Sequence, residues 1–220
     1  MLNIGMRQKI GVVLPADGQA LKYEFEFDIE GGTFKRFACI LSWDNPLPYK
    51  MVATAWNEYR KSGMEEALSF MLAPEAARAL ELVLSEKTES PLSATIATLL
   101  LVRSRHWERL HDWPRNLANW FPQLSDGCVL WAEQLLLSGG DSAEALRYLL
   151  MLKDRRLPVL SPAYSRLREF QEELAPSSNP DVDALIQRMR VPVLTLRSSG
   201  LFTVFIGEPN QIGPAMVERP

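Results

Sequence analysis

The sequence predicts an α+β fold that is mostly α: an irregular antiparallel helical-hairpin array with small β-hairpins near the N- and C-termini. Three observations predict it. Residues 20–41 alternate with period two, the stretch from about Met51 to 190 repeats a cap–proline–helix pattern, and the region after 190 returns to β-branched runs around a glycine. The chain accordingly divides into a β-rich N-terminal element at 1–50 packed on the helices, a helical array at 51–190, and a C-terminal β-hairpin and tail at 191–220, all within one compact unit.

The elements follow in order. "LKYEFEF" sets Leu21, Tyr23, Phe25 and Phe27 on one face and Lys22, Glu24 and Glu26 on the other, the pattern of a half-buried strand. "DIEGG" supplies a turn and "TFKRFACIL" the partner strand, with "KIGVVLP" as an earlier one. A lone hairpin is marginal in water, so its aromatic face is expected to rest on the helices. "MVATAWNEYRKSG" and "MEEALSFML" read as helices, and "PEAARALELVLSEK" starts with Pro74 in its first turn. "SPLSATIATLLLVRSRHWERL" is read as one long helix capped by Ser90, and "CVLWAEQLLLSGG" as an apolar helix stopped by two glycines. "DSAEALRYLLMLKDRR" opens with Asp141 and Glu144 at capping-box spacing. "SPAYSRLREFQEEL" and "NPDVDALIQRMR" follow, joined by the short "APSSNPD". Short antiparallel helices in series suggest tetratricopeptide-type stacking, without a clean repeat period. "VPVLTLRSSGLFTVFIG" reads as a second hairpin turning at Gly200.

Composition narrows the function classes. With 47% apolar and 23% charged residues and a net charge of −3, the 220-residue chain has an ordinary globular balance and no basic excess. Nucleic acid is therefore a disfavoured partner. The longest apolar run, "ATLLLV", is too short to span a membrane. Cys39 and Cys128 form no paired ligand motif, which fits a reduced, cytoplasmic setting. No catalytic residue, cofactor or metal set stands out. His106 and His111, five residues apart, would lie about 140° from each other on a continuous helix, too far around to share a metal. A cysteine-dependent hydrolase using Cys128 and His111 is the enzymatic alternative.

The densest stretch is "HDWPRNLANWFPQLSDG", residues 111–127. Pro114 and Pro122 break helix, and the residues before them, Trp113 and Phe121, are expected in extended geometry. Trp120, Phe121 and Trp131 are expected to bury area together. Upstream, Arg103, Arg105, Arg109 and Arg115 interleave with Trp107 and Trp113. That pattern suits a single-strand nucleic-acid surface, an interface rim or a tied structural connection. As an interface, its candidate binding residues are Trp107, Arg109, Trp113, Arg115, Asn116, Asn119 and Trp120.

"HDWPRNLANWFPQLSDGCVLWAEQLL", with "RRLPVLSPAYSRL" and "VPVLTLRSSGLF" after it, resembles an uncharacterised helical, TPR-like accessory region of bacterial multidomain proteins that carry caspase-like peptidase domains. The resemblance spans about residues 40–210. It implies a non-catalytic interaction or regulatory module, an accessory partner or substrate of a caspase-like peptidase in a bacterial defence or signalling system. It carries over no catalytic residue.

Overall fold

The computed structural model describes residues 9–12, 22–30, 33–42, 47–86, 88–174, 179–189 and 203–207. The expected turn at Gly31–Gly32, the run from 191 to Gly200, the 175–178 connection and the tail from 208 lie outside them. Helices are α1 (Leu47–Ser62), α2 (Met64–Leu72), α3 (Pro74–Ser85), α4 (Pro91–Arg103), α5 (Trp113–Trp120), α6 (Asp126–Leu137), α7 (Ser142–Leu150), α8 (Ser161–Leu174) and α9 (Pro180–Met189). Short 3-10 turns lie at Trp107–Arg109 and Met151–Asp154.

The α+β class is corrected by this architecture to all-α. Every described residue that lies in a regular element and has a described side chain is helical, and no strand contributes to the described core. Strand geometry is confined to backbone segments in two separate two-stranded pairs. One joins β1 (Lys9–Val12) to β4 (Val204–Gly207), antiparallel with Ile10 opposite Ile206; the other joins β2 (Lys22–Glu30) to β3 (Thr33–Ser42). The physical reason is that the apolar side chains buried among the described residues lie almost wholly on helices that pack on one another.

The chain forms two compact units, one of residues 15–22 and 42–156, the other of 1–14, 23–41 and 157–220. In the first, every residue of α4 from Pro91 to Val102 is buried. A helix apolar all round has no solvent side and must be surrounded. α4 packs on α1, α3, α5 and α6. α4 thus meets helices that precede it and helices that follow it in the chain. Val52, Ala55 and Trp56 of α1, and Ala76, Leu80, Val83 and Leu84 of α3, supply part of its wall. α6 is buried from Asp126 to Leu135 and packs on α4, α5 and α7.

In the second unit α8 and α9 pack together, with Ala163, Leu167 and Phe170 buried on one and Val182 and Leu185 on the other. Arg166 lies 3.9 Å above the Phe170 ring and pairs with Glu169 at 2.7 Å. The Thr203 N–H donates to the Val159 carbonyl at 2.7 Å. Asn179 caps α9 as its sequence suggests, accepting from the Asp181 N–H at 2.9 Å.

Two helix ends differ from expectation in an informative way. α6 stops by the usual device: Gly139 is left-handed at φ 73°, and the Gly140 N–H bonds the Leu135 carbonyl at 2.7 Å, the closing bond of a Schellman motif. α4 stops by the same motif without a glycine. Arg105 sits at φ 60°, and the His106 N–H bonds the Leu101 carbonyl at 3.0 Å. The helix expected to run on through Leu110 therefore ends at Arg103, with no sequence signal to mark it. A side chain in left-handed geometry costs about 1 kcal/mol. Arg105→Gly is expected to stabilise the chain by roughly 0.5–1 kcal/mol in urea unfolding, while Arg105→Ala leaves it nearly unchanged.

Candidate functional site

The stretch 111–127 is built as a short helix, α5, pressed against the start of α6. Pro114 does not break it. It occupies the second helical position, where the missing N–H has no partner to lose, so Trp113 is helical rather than extended. Pro114, Leu117 and Ala118 form the buried face. The approach to α6 is backbone to backbone. A Cβ at Gly127 would stand 2.6 Å from the Ala118 nitrogen and 2.9 Å from its Cα. Only glycine fits there, since both atoms are backbone and cannot swing away as a side chain could.

Around that contact the connections are polar. Arg155 Nη1 donates to the Ala118 carbonyl at 2.7 Å and lies 3.1 Å from Cys128 Sγ. The Ser125 hydroxyl donates to the Arg156 carbonyl. Gln134 Nε2 donates to the carbonyl of His111 at 3.3 Å, where His111 itself is left-handed at φ 44°. Its ring meets Trp113 edge-on, with centroids 6.0 Å apart.

A second network ties α5 to α7. Arg115 Nε donates to the Tyr148 hydroxyl at 3.4 Å, and that hydroxyl donates to Asn119 Oδ1 at 3.2 Å. The carboxylate of Glu144 lies 3.5 Å from Arg115 Nε and 3.5 Å from Arg147 Nη2, and it accepts from Trp131 Nε1 at 3.2 Å. Arg115 is held above the ordinary arginine value, first by the Tyr148 hydroxyl and then by Glu144. The expected capping box is thus half made. Asp141 accepts from the Ala143 N–H at 2.8 Å, while Glu144 is turned to Trp131 and the arginines. Tyr148 and Arg155 are the members of the cluster that the sequence did not flag, while Glu144 was read as half of a helix cap and Trp131 as a packing residue. All four lie on later elements, and no signal in the sequence placed them beside α5.

The predicted site residues separate by role. Arg109 is anchored, its Nη2 donating to the Ala77 carbonyl at 3.1 Å and pairing with Glu81 at 3.4 Å. Trp107 and Trp113 are half-buried. Arg115 and Asn119 share the Tyr148 relay, and Asn116 lies half-buried one turn before Trp120. Trp120 is 55% exposed, and Phe121 is half-buried. The expected joint burial with Trp131 is therefore corrected: of the three, only Trp131 is core, because α5 ends at Trp120 and carries that ring outward.

The basic stripe is divided by carboxylates. Arg103 meets the buried Glu133 at 3.6 Å, Arg109 meets Glu81, and Arg115 meets Glu144. Such pairing removes the charge surplus that a phosphate backbone requires. Cys128 is fully buried. Desolvation pushes its thiol up to about 11 despite the nearby Arg155 guanidinium, which is the opposite of an activated nucleophile.

Residues 58–218 fit the family model described as the Y4kD C-terminal domain. No curated protein and no solved structure matches the chain.

Two measurements check this geometry. Gly127→Ala is expected to lower stability by about 1–3 kcal/mol, read as a fall in the urea midpoint at unchanged slope. The Cys128 thiol is protonated in both states below pH 9; above it the unfolded chain ionises while the folded chain holds its proton until about 11. The native state then binds more protons, so stability falls as pH rises through that window, by roughly 2–3 kcal/mol in all. Cys128→Ala is expected to remove this part of the alkaline loss; an unaltered alkaline profile would refute it.

Proposed function

We propose that this chain, which belongs to the Y4kD C-terminal domain family, acts by protein–protein contact rather than by catalysis, with the end of α5 as its contact surface. The observation that carries the reading is the 55% exposure of Trp120 on a helix whose Pro114, Leu117 and Ala118 side is locked into the core. A large indole left in water is disfavoured by the area it fails to bury, and tryptophan is the residue most enriched among interface anchors. Asn116, one turn earlier on the same side of the helix, and Asn119, next to the indole, offer polar groups at its margin.

The partner class follows from the resemblance of 111–136 and 155–167 to accessory regions beside caspase-like peptidase domains. On that basis the partner is a component of the same bacterial defence or signalling system, with a caspase-like peptidase as the first protein to try. The buried, proton-holding Cys128 and the paired arginines support contact over hydrolysis or strand binding.

The experiment is an affinity capture with mass spectrometry, comparing the full chain with Trp120→Ala. Circular dichroism and the thermal midpoint are expected to match, since an indole more than half exposed adds little to the core. A partner held by the wild type and lost by the folded variant is the expected outcome, with binding weakened by about 2 kcal/mol or more. Retention of every captured protein by Trp120→Ala would exclude this end of α5 as the contact.

A further inference from the structure

Resting on that contact reading, the geometry points to the chemistry of the partner: a protein segment carrying an aspartate or glutamate carboxylate beside an apolar side chain. The argument starts from the direction of hydrogen bonds. A guanidinium can only donate. Arg115 Nε gives its proton to the Tyr148 hydroxyl, so that hydroxyl must pass its own proton onward, and Asn119 must present its oxygen, Oδ1, to receive it. The Asn119 amide is thereby fixed with its NH2 group turned away from Tyr148. Arg115 uses Nε for both Tyr148 and Glu144, and its two Nη groups have no partner among the described residues. Its side chain is 44% exposed, and that of Arg147, across Glu144, is 64% exposed.

The nearest carboxylate in this patch is already used, and Asp112 is the other one that acts on Arg115. Glu144, 21% exposed, takes Trp131 Nε1 and faces two guanidinium groups. What the surface offers outward is N–H: from Arg115 and Arg147, and from the Asn119 amide. Residues 115 and 119 form one i,i+4 row on α5, and 116 and 120 form the adjacent row. A donor row thus runs beside the row that ends in the exposed indole. Carboxylate oxygens satisfy paired N–H donors with charge-assisted bonds, and an apolar side chain next to the carboxylate would lie on Trp120.

The test pans a phage-displayed library of random peptides against the full chain. The enriched peptides are then titrated, fluorescently labelled, against wild type, Trp120→Ala and Asn119→Asp. Asn119→Asp keeps the oxygen that Tyr148 needs but replaces the outward NH2 with anionic oxygen. Asn116→Asp, which has no part in the relay, adds the same negative charge one row over. Enriched peptides are expected to pair an acidic with an apolar residue. They should lose about tenfold or more in affinity with Asn119→Asp at an unchanged thermal midpoint, and weaken as salt is added. Peptides that need Trp120 but carry no carboxylate, or that bind Asn119→Asp as well as wild type, would overturn the acidic partner and leave the contact reading standing. Failure to enrich any peptide, or enrichment indifferent to Trp120→Ala, would overturn both.

Discussion

A helix without a solvent-facing side imposes its surroundings, and α4 is such a helix: twelve consecutive residues from Pro91 to Val102 are buried. Three of those residues, Ser93, Thr95 and Thr98, are serine or threonine. Thr95 returns its hydroxyl to the Pro91 carbonyl at 2.7 Å, and Ser93 receives the hydroxyl of Ser90, also at 2.7 Å. The Ser93 and Thr95 hydroxyls are thus satisfied locally, while the buried Thr98 Oγ1 has no hydrogen-bond partner among the described residues, and neighbouring helices meet a largely apolar surface. The expected Ser90 cap is therefore directed to a side chain instead of a backbone N–H. The short hydroxyl residues let other helices come close on every side, and α1, α3, α5 and α6 fill those positions.

α6 extends the same constraint. It is nearly as buried as α4, yet it carries Glu133 at 3% exposure. A carboxylate at that depth is tolerable only when paired, because its desolvation outweighs an unassisted contact. Arg103, in the last turn of α4, lies 3.6 Å away. The pair joins the two most buried helices at one register. The Schellman turn at Arg105 follows immediately, and the 3-10 turn then brings Arg109 onto α3. The connection from α4 to α5 is thus held at both ends by arginine, which explains the density of basic residues there without a polyanion.

How much of this was legible in the sequence depends on which force set each feature. The helices with proline in the first turn or a side-chain cap were readable, because those signals act within a few residues. α2, α3, α8 and α9 lie where the pattern put them. The end of α4 was hidden, since a left-handed arginine leaves no compositional mark. Trp113 was misread because a proline in the first turn and one that ends a helix look alike until the helix direction is known. The fold class was misread for a different reason. Period-two alternation predicts strands locally, but it does not say which elements carry the core, and among the described residues that core is helical. The candidate site was half legible: its α5 residues are contiguous and unusual, while Tyr148, Glu144 and Trp131 reach it only through tertiary packing.

The geometry of α5 explains why its end is available for a partner. At 100° per residue, Pro114, Leu117 and Ala118 cluster on one side, Arg115 and Asn119 on a second, and Trp113, Asn116 and Trp120 on a third. An eight-residue helix is too short to be stable by propensity, so it must be fixed by contacts. The first side is fixed by the glycine-spaced approach at Gly127 and the second by the Tyr148 relay. Along the third side, the His111 ring and the carbonyl bound by Gln134 hold the start of the helix near Trp113. Near its far end the Arg155 bond to the Ala118 carbonyl holds the backbone, and the Trp120 indole keeps more than half of its area in solvent. A side chain whose backbone is immobilised by its neighbours binds without the entropy cost of ordering a loop. Rigid support beneath an exposed indole is what separates a contact surface from an aromatic side chain left over at the end of a helix.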